Sequence, residues 1–272
     1  MPELPEVETI RRQLQAKIVG KKIISADVFL PKAINLSVRK FKSVLKNKKI
    51  LTVKRRAKVV MLQLNQGYYL LFHLKMSGHL LYLSKMTELP AYAHVVLYLS
   101  GQGKICFDDF RKFGFVKLLS ESEVEKYFKT TGLDATDKKL NLAKFKNIIA
   151  SRPNKKIKEL LMDQSLLGGI GNIYASEICF GAKVNPARVA RNLTNQDNKA
   201  LYQNTKRILQ LAIKKRGTSD NLYTDLYGRK GKFVPLLKVY NREGERCKRC
   251  GSTVKKIRLG GRGTYFCPDC QR

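Results

Sequence analysis

The sequence is poor in acidic residues and contains no long apolar segment. Asp and Glu number 21 against 54 Lys and Arg, which gives a formal net charge of +33. No run of about 18 apolar residues occurs, which excludes a membrane-spanning helix. The N-terminus carries Glu3, Glu6 and Glu8 where a secretory signal has basic residues followed by an apolar stretch. We therefore expect a cytoplasmic protein without a membrane partner.

The shortage of acidic residues also indicates the kind of partner. The positive excess runs along most of the chain, beyond what solubility requires, and a polyanion is its natural ligand. Nucleic acid is the leading candidate, although a basic cytosolic protein or a membrane-surface protein has the same balance. The sequence alone leaves these alternatives open.

A glycine-rich turn at residues 168–172 lacks the Gly-Lys-Ser/Thr ending of a nucleotide-binding P-loop. Glycine turns that open a helix can still bind phosphate through free backbone N–H groups. The alternative is a tight connection between two helices. Either interpretation places residue Asn172 at the start of a helix.

Cysteine is scarce until the C-terminus. Cys106 and Cys179 lie in apolar surroundings and are expected to be buried small hydrophobes. The other four form a C-x2-C-x16-C-x2-C pattern, which in a cytosolic chain indicates a zinc site more readily than disulfides. They are Cys247, Cys250, Cys267 and Cys270.

Hydrophobic patterning predicts a strand-rich first half and a helical second half in a chain of 272 residues. The predicted strands are 22–29, 50–53, 59–62, 68–74, 80–83, 92–99, 104–107 and 114–119, with residues 54–58 joining the second and third. The predicted helices begin after residue 4 and cover 36–47, 121–129, 140–149 and 197–216, with 130–139 as a linker. Residues 217–234 show no period, and a loop this long is usually functional.

The first residues carry the most informative chemistry. If Met1 is removed, Pro2 begins the chain with a secondary amine, and an α-amino group has a pKa of roughly 7.7–8.0, so part of it is nucleophilic at neutral pH. The carboxyl groups of Glu3 and Glu6 could serve as acid or base beside it. Proline and acidic residues in a first turn are also ordinary helix-start chemistry, which would explain Pro5 and Glu6 without catalysis.

The run Pro2-Glu3-Leu4-Pro5-Glu6-Val7-Glu8-Thr9 resembles the start of bacterial formamidopyrimidine-DNA glycosylases. The ending Gly261-Arg262-Gly263-Thr264-Tyr265-Phe266-Cys267-Pro268 resembles the end of the same family. Between them, residues 163–177 resemble its helix-two-turn-helix, and 108–114 its Asp-Pro-Arg-Arg-Phe-Gly motif. Phe110 replaces the proline of that motif, Lys112 replaces its second arginine, and Tyr92 stands where the family has a DNA-contacting histidine.

The resemblance implies an α+β fold with three parts. They are an N-terminal β-sandwich-like domain with flanking helices (1–130), a helical helix-two-turn-helix domain (131–235) and a four-cysteine zinc β-hairpin (236–272). Within the last part, residues 236–240 correspond to a family strand that precedes the zinc site. The loop at 217–234 would close over the flipped base.

The resemblance also implies a bifunctional DNA glycosylase and AP lyase of base excision repair. The enzyme would remove oxidised purines, namely 8-oxoguanine and formamidopyrimidines, through a Schiff base at Pro2 with β- and δ-elimination. Damaged double-stranded DNA would be the partner of a monomer, and one structural zinc the only cofactor. The catalytic residues implied are Pro2, Glu3, Glu6, Lys58 and Arg262. The implied DNA-binding residues are His73, Met76, His94, Arg111, Phe113, Arg152, Lys158, Asn172, Tyr240 and Lys256.

Two other functions remain open from the sequence. One is an endonuclease VIII-like glycosylase for oxidised pyrimidines, against which Leu4 argues because that sister group usually has glycine there. The other is a non-catalytic zinc protein that binds nucleic acid. Charge and zinc fit that protein equally well, and only Pro2 and Glu3 discriminate against it.

Overall fold

The computed structural model describes residues 2–219 and 223–272. Met1, whose removal the sequence analysis predicts, and positions 220–222 of the predicted 217–234 loop lie outside the described residues. The chain forms two compact units: Met1–Lys129 with Lys215–Lys232, and Thr130–Lys214 with Phe233–Arg272. In the described part of the chain, none of the helices is long and apolar enough to cross a membrane.

The first unit contains two four-stranded antiparallel sheets. Its strands are β1 (Ile23–Val28), β2 (Ile50–Arg56), β3 (Val59–Leu64), β4 (Tyr68–His73), β5 (Gly78–Ser84), β6 (Ala93–Leu99), β7 (Gly103–Asp109) and β8 (Phe115–Ser120). One sheet has the order β1-β6-β7-β5 and the other β2-β3-β4-β8. Both contribute to one apolar core, in which Phe72 of the second sheet lies 6.3 Å from Phe107 of the first, centroid to centroid. The predicted two-sheet sandwich is confirmed.

Helices flank this sandwich. They are α1 (Leu4–Ile18), α2 (Val38–Leu45) and α3 (Glu121–Phe128). Val7, Ile10 and Leu14 of α1 are fully buried in the sandwich core, because their spacing places them on one face of the helix. Ser120 begins α3 with a capping box, in which its side chain and that of Glu123 bond each other's backbone N–H groups.

The hairpin between β2 and β3 is tighter than the sequence indicated. The predicted five-residue connection at 54–58 is wrong, because β2 continues to Arg56 and pairs there with Val59. Only Ala57 and Lys58 remain in the turn, and Ala57 adopts a left-handed conformation with φ of 51°. The shorter turn fixes the position of Lys58 at the tip.

The second unit is mainly helical. Its helices are α4 (Leu142–Ala150), α5 (Ile157–Leu161), α6 (Asn172–Ala182) and α7 (Asn195–Lys214). The segment predicted as a linker supplies a short strand, β9 (Leu133–Asp134), which pairs in parallel with β10 (Leu167–Gly168). The unit ends in a hairpin of β11 (Lys255–Leu259) and β12 (Arg262–Phe266), whose tip glycines both have positive φ.

A strand predicted at residues 236–240 is absent from the described structure. A short 3-10 turn (Val234–Leu236) is followed there by a bend, in which the backbone N–H groups of Lys238, Val239 and Tyr240 donate to the carboxylate of Glu177. Glu177 is buried on α6, and these bonds replace the ones a strand would have made with a neighbour. The expectation of a strand is therefore wrong.

One segment groups differently from the predicted domains. Lys215–Lys232 belongs to the first unit, whereas the predicted helical domain extends to residue 235. The backbone N–H of Thr218 donates to Glu6 of α1 over 2.7 Å. Likewise, Gln13 of α1 donates to the buried carboxylate of Asp225 over 2.9 Å. These bonds attach the segment to the first helix of the chain.

Candidate active site and nucleic-acid contacts

The N-terminal residues are held by a reciprocal cap at the start of α1. The backbone N–H of Glu3 donates to Oε2 of Glu6 over 2.8 Å, and the side chain of Glu3 accepts from the backbone N–H of Glu6. Pro2 is buried, and Glu3 is 1% exposed. The cap thus fixes the peptide that joins Pro2 to Glu3 and places the Glu3 carboxylate at the positive end of a helix.

The second oxygen of the Glu6 carboxylate binds the 215–232 segment. Oε1 accepts from Thr218, and a Cβ at Gly217 would come within 2.5 Å of the same oxygen. Gly217 also has φ of +81°, so glycine is required there both for space and for conformation. Glu6 therefore positions two backbone segments, which is a different role from the direct acid–base chemistry considered from the sequence.

A buried tyrosine adds to this link. The hydroxyl of Tyr223 donates to the backbone carbonyl of Glu6 over 3.3 Å. Burial, followed by the negative charges of Glu6 and Asp225, raises the pKa of Tyr223 well above its usual value. The phenol therefore stays a neutral hydrogen-bond donor throughout the working range of pH.

Lys58, in the turn between β2 and β3, lies near His73 at the end of β4 and is 8% exposed. Lys58 ends the tight turn, and the next residue, Val59, pairs with His73. Burial and the positive charges of Lys75 and Lys58 lower the pKa of His73 to about 3. Its Nδ1 accepts from the backbone N–H of Lys75 over 3.0 Å, so the neutral ring carries its proton on Nε2. His73 is thus a neutral donor beside a cation.

Two loops of the first unit present exposed apolar side chains. The methionine loop (residues 74–77) carries Met76, which is 44% exposed, and the arginine–phenylalanine loop (residues 110–114) carries Phe113, which is 55% exposed. The Arg111 guanidinium lies 5.1 Å from the centroid of the Phe113 ring. An exposed apolar wedge next to a stacked guanidinium suits insertion into a base stack.

His94 does not occupy a ligand-facing position. Its ring is buried, and Nε2 bonds the backbone carbonyl oxygen of Asp109 over 2.7 Å. The prediction that His94 contacts DNA is corrected, because the side chain is used inside the first unit. Tyr92, which stands where the family has its histidine, is exposed and lies 6.2 Å from the Phe110 ring.

Lys158 is also internal, at the junction of two predicted DNA-binding elements. It is 1% exposed, and its Nζ contacts Oδ1 of Asn172 at 2.5 Å, Oγ1 of Thr264 at 2.7 Å and the Gly263 carbonyl at 3.3 Å. An ammonium is a donor only, and these oxygen atoms accept from it inside the second unit. Lys158 was expected among the DNA-binding residues, and in this structure its ammonium instead joins α6 to β12.

The remaining predicted DNA-binding residues of the second unit lie at its surface. Arg262 begins β12 and is exposed. Lys256 lies across the hairpin, with Nζ 5.6 Å from the Tyr265 ring and 3.1 Å from the carboxylate of Glu243. The ring of Tyr240 packs 5.2 Å from the Tyr265 ring. Lys256 and Tyr240 therefore share one aromatic neighbour. Arg152 is exposed after α4, where its guanidinium donates to a backbone carbonyl.

The four cysteines of the C-x2-C pairs converge. All four Sγ atoms lie within 4.8 Å of one another, with 3.9 Å between those of Cys247 and Cys270 and 3.5 Å between those of Cys250 and Cys267. A tetrahedral Zn–thiolate site with bonds of about 2.3 Å has S···S separations of about 3.8 Å. These separations fit zinc and are too long for disulfides.

Three buried polar residues, Ser77, Asp109 and Glu177, bond the backbone or side chains of segments that carry site residues, and the sequence does not predict these contacts. Ser77 and Asp109 lie next to Met76 and Arg111, the residues that the family resemblance singles out. Both side chains are buried, and a sequence does not show that a polar residue in a loop is buried. Glu177 lies on the buried face of α6, and its partners are backbone groups about sixty residues away. Such partners have no sequence signature.

Models of known families match most of the chain. The formamidopyrimidine-DNA glycosylase N-terminal domain matches residues 1–116, and the H2TH domain of the same enzymes matches residues 131–223. The zinc finger found in FPG and IleRS matches residues 244–272. The matched ranges follow the order predicted from the sequence.

Similar proteins align over their whole length. A formamidopyrimidine-DNA glycosylase of Pelotomaculum thermopropionicum is 40% identical and one of Streptococcus mutans 41%, with 100% of this chain and at least 99% of each relative covered. A Lactococcus lactis FPG mutant in complex with DNA containing Fapy-dG superposes with a TM-score of 0.93 at 36% identity, covering 100% of both chains. The Lactococcus lactis Fpg bound to an abasic site gives the same TM-score and covers 99% of both.

Site, fold and relatives together define a DNA glycosylase of base excision repair with a zinc-finger domain. The alternative of a non-catalytic zinc protein is set aside, since the chain matches formamidopyrimidine-DNA glycosylases over its whole length, including the N-terminal domain that begins with Pro2 and Glu3. The chain belongs to the formamidopyrimidine-DNA glycosylase family, in which AP lyase activity accompanies the glycosylase.

Proposed function

We propose that this protein excises oxidised purines, namely 8-oxoguanine and formamidopyrimidines, from duplex DNA and then cleaves the strand. The observation that carries the proposal is the reciprocal cap between Glu3 and Glu6, which holds the Pro2–Glu3 peptide at the start of α1. Removal of Met1 gives Pro2 a free secondary amine at that place. The Lactococcus lactis relative has been solved with Fapy-dG DNA, which supports the substrate class.

The reaction follows from amine chemistry. The Pro2 nitrogen forms a bond to the sugar C1′ while the bond from C1′ to the base breaks, and Glu3 supplies the proton that the departing base needs. The sugar ring then opens at the C1′–O4′ bond as O4′ takes a proton and the Pro2 nitrogen loses its own, which leaves an iminium between Pro2 and the sugar that acts as an electron sink. Loss of a C2′ proton with the 3′ phosphate is the β-elimination, and loss of a C4′ proton with the 5′ phosphate is the δ-elimination. Water then hydrolyses the iminium and frees Pro2. Glu6 holds both Glu3 and Thr218 in place during these steps.

Phosphate contacts position the DNA for this chemistry. We assign the phosphates next to the lesion to Lys58, the Nε2–H of His73 and Asn172, and further phosphates to Arg262 and Tyr240. Lys256 and Arg152 add exposed positive charge in the second unit. Lys58 and Arg262 also assist elimination by stabilising the departing phosphates.

Base extrusion leaves a gap that the two exposed loops fill. Met76 takes the space of the flipped nucleotide, and Arg111 and Phe113 take the space opposite the orphaned base. The protein acts as a monomer on damaged double-stranded DNA in the cytoplasm, and no small-molecule cofactor takes part. One zinc ion held by the four clustered cysteines fixes the hairpin that carries Arg262.

Relative turnover of two lesions tests the proposal. Duplexes with 8-oxoguanine and with thymine glycol should be compared under single-turnover conditions, and faster release of 8-oxoguanine is expected. The Lactococcus lactis FPG has also been solved with DNA that contains an oxidised pyrimidine, which is the reason to include thymine glycol as the second substrate. Faster release of thymine glycol would overturn the purine assignment in favour of an endonuclease VIII-like specificity.

Binding should depend strongly on salt. A protein that neutralises about 6–10 phosphates loses roughly 10³- to 10⁵-fold in affinity between 50 and 200 mM salt. Lys58→Ala and Arg262→Ala should each lower the slope of log K against log salt by about one unit. Lys46→Ala, which removes an exposed charge after α2, is the control and should leave the slope unchanged. A flat salt response in the unmutated protein would contradict the phosphate contacts.

Loss of the Phe113 ring should separate excision from strand cleavage. Phe113→Ala is expected to slow release of 8-oxoguanine by about tenfold or more, because the extruded base is no longer replaced in the stack and unstacking costs a few kcal/mol. Cleavage at a preformed abasic site should change much less. Phe29→Ala removes another exposed aromatic ring and serves as the control. Equal losses on both substrates would indicate a general binding defect.

A further inference from the structure

The methionine loop and the arginine–phenylalanine loop run side by side between the same two sheets. The first joins β4 to β5, and the second joins β7 to β8. At one end β4 pairs with β8, with His73 opposite Phe115, and at the other β5 pairs with β7, with Gly78 opposite Asp109. The strand residues at both ends of the two loops are therefore paired with each other. A displacement of one loop at its ends would displace the other loop as well.

A single carboxylate binds both loops. Asp109 is 0% exposed, and its Oδ1 accepts from the hydroxyl of Ser77, a buried residue of the methionine loop. The same carboxylate accepts from the backbone N–H of Arg111 over 3.3 Å and, through Oδ2, from that of Gly114 over 2.6 Å. Buried hydrogen bonds to a charged group are stronger than bonds between neutral groups.

The packing around this carboxylate leaves little room for either loop to move. A Cβ at Gly114 would lie 2.6 Å from the Phe107 ring and 3.0 Å from the carbonyl oxygen of His73. A Cβ at Gly78 would lie 2.6 Å from the carbonyl oxygen of Leu74. Glycine at both positions allows the backbones of the two loops to approach their neighbours this closely.

The backbone of Asp109 is fixed independently of its side chain. Its N–H donates to the carbonyl of Tyr92 over 3.1 Å, and its carbonyl oxygen accepts the bond from His94 at 2.7 Å. His94 therefore supports the residue to which both loops attach. This contact gives a role to a histidine that the sequence analysis had placed on DNA.

We propose that Asp109 is a positioning residue that couples the two loops, so that Met76 and Phe113 enter the base stack as one unit. The inference rests on the proposed function, in which those side chains fill the gap left by base extrusion. The Asp109 carboxylate is fully buried, so in this inference it acts through the loops it binds rather than by contact with DNA. It sets the distance between the two inserted groups through Ser77 and Gly114.

A double-mutant cycle tests the coupling directly. Single-turnover release of 8-oxoguanine is measured for Met76→Ala, Phe113→Ala and the double variant, first with Asp109 and then with Asp109→Asn. With Asp109 present, the double variant should lose much less than the product of the single losses, because either truncation already disrupts the joint insertion. In the Asp109→Asn background the losses should multiply, because the amide N–H₂ cannot accept the same bonds. The Asp109→Asn change alone should slow release by about tenfold.

Two further variants control the cycle. Ser77→Ala removes only the hydrogen bond between the methionine loop and Asp109, and it should reduce the coupling as Asp109→Asn does. It also keeps the test possible if Asp109→Asn does not fold. Asp108→Asn changes the preceding carboxylate, which faces Nδ1 of His79 at 3.3 Å, and should leave the coupling intact. Thermal unfolding of each variant separates lost stability from lost coupling.

The outcomes distinguish the inference from the function on which it rests. Unchanged coupling in both Asp109→Asn and Ser77→Ala, with slower release in each, would make Asp109 a residue of fold stability alone and overturn the proposal. If the unmutated protein is active but the losses of Met76→Ala and Phe113→Ala multiply even with Asp109 present, the proposal is overturned as well. Absence of lesion release by the unmutated protein would instead refute the proposed function itself.

Discussion

Borohydride added during turnover is expected to leave one covalent adduct between the protein and the cleaved DNA, and peptide mapping should place it at Pro2. A secondary amine that attacks C1′ gives an iminium, and hydride reduces that iminium to a stable amine. The chain also contains 54 Lys and Arg residues, so lysines are available as competing nucleophiles. The cap between Glu3 and Glu6 is the reason to expect Pro2, since it holds the N-terminal peptide in one conformation.

Blocking the amine supplies the complementary test. Protein that retains Met1 or an N-terminal tag should form no adduct and should lose roughly 10⁴-fold or more in excision rate, as enzymes do when a nucleophile is removed. Protein purified with Pro2 as its first residue is the matched control. An adduct that maps to lysine, or full activity in the tagged protein, would show that Pro2 has been given the wrong role.

Glu3→Gln refines the same result. Base removal should suffer more than strand cleavage at a preformed abasic site, because the aldehyde there no longer needs a protonated leaving base. Glu8→Gln provides the matched comparison, since the Glu8 carboxylate is committed to ion pairs with Arg11, Arg12 and Arg55. We expect that variant to affect both substrates equally.

Loss of one zinc ligand is expected to have the largest effect on the second unit. Cys250→Ser should abolish bound metal and unfold the hairpin, because structural zinc supplies roughly 10–16 kcal/mol of apparent folding free energy in small modules. Displacement of β12 would move Arg262 and remove Gly263 and Thr264 as acceptors for the buried Lys158 ammonium. DNA affinity should therefore fall together with metal content.

Metal analysis and binding to an abasic duplex check this expectation in one preparation. Cys106→Ala is the control, since Cys106 is a buried residue of β7 outside the four-cysteine cluster, and it should retain one zinc per chain. The proposal would have to be abandoned if purified protein carried no stoichiometric metal and still bound DNA with full affinity.

Local chemistry explains what could be predicted from the sequence. Short runs rich in apolar and β-branched residues located the eight strands of the sandwich, and several of these strands, such as β3 and β7, are buried along nearly their whole length. The spacing of the C-terminal cysteines predicted their convergence, since a C-x2-C pair presents both thiolates to one point. Proline and acidic residues near the N-terminus predicted the start of α1, because its cap is made within four residues.

Apart from the length of the turn at residues 54–58, the errors arose where the partner is distant in the chain. His94 and Lys158 are polar residues in motifs that resemble a DNA-binding family, and both are bonded to main-chain or hydroxyl groups inside their units. The strand expected at 236–240 does not form, because the backbone N–H groups of residues 238–240 donate to the carboxylate of Glu177 and not to a neighbouring strand. A sequence shows that a buried polar group needs partners but does not show which segment provides them.

The bond between Glu6 and Thr218 has a consequence for the order in which the molecule is made. The two residues are 212 positions apart, and the segment that contains Thr218 belongs to the first unit. Domains generally fold as units while the ribosome is still adding residues, starting from the N-terminus. Here the nascent chain must extend past residue 232, through all the helices from α4 to α7, before the first unit has all its parts. The contacts of Glu6 with Thr218 and Tyr223 can therefore form only after the helices of the second unit have been synthesised, although the cap at the start of α1 needs only its own neighbours.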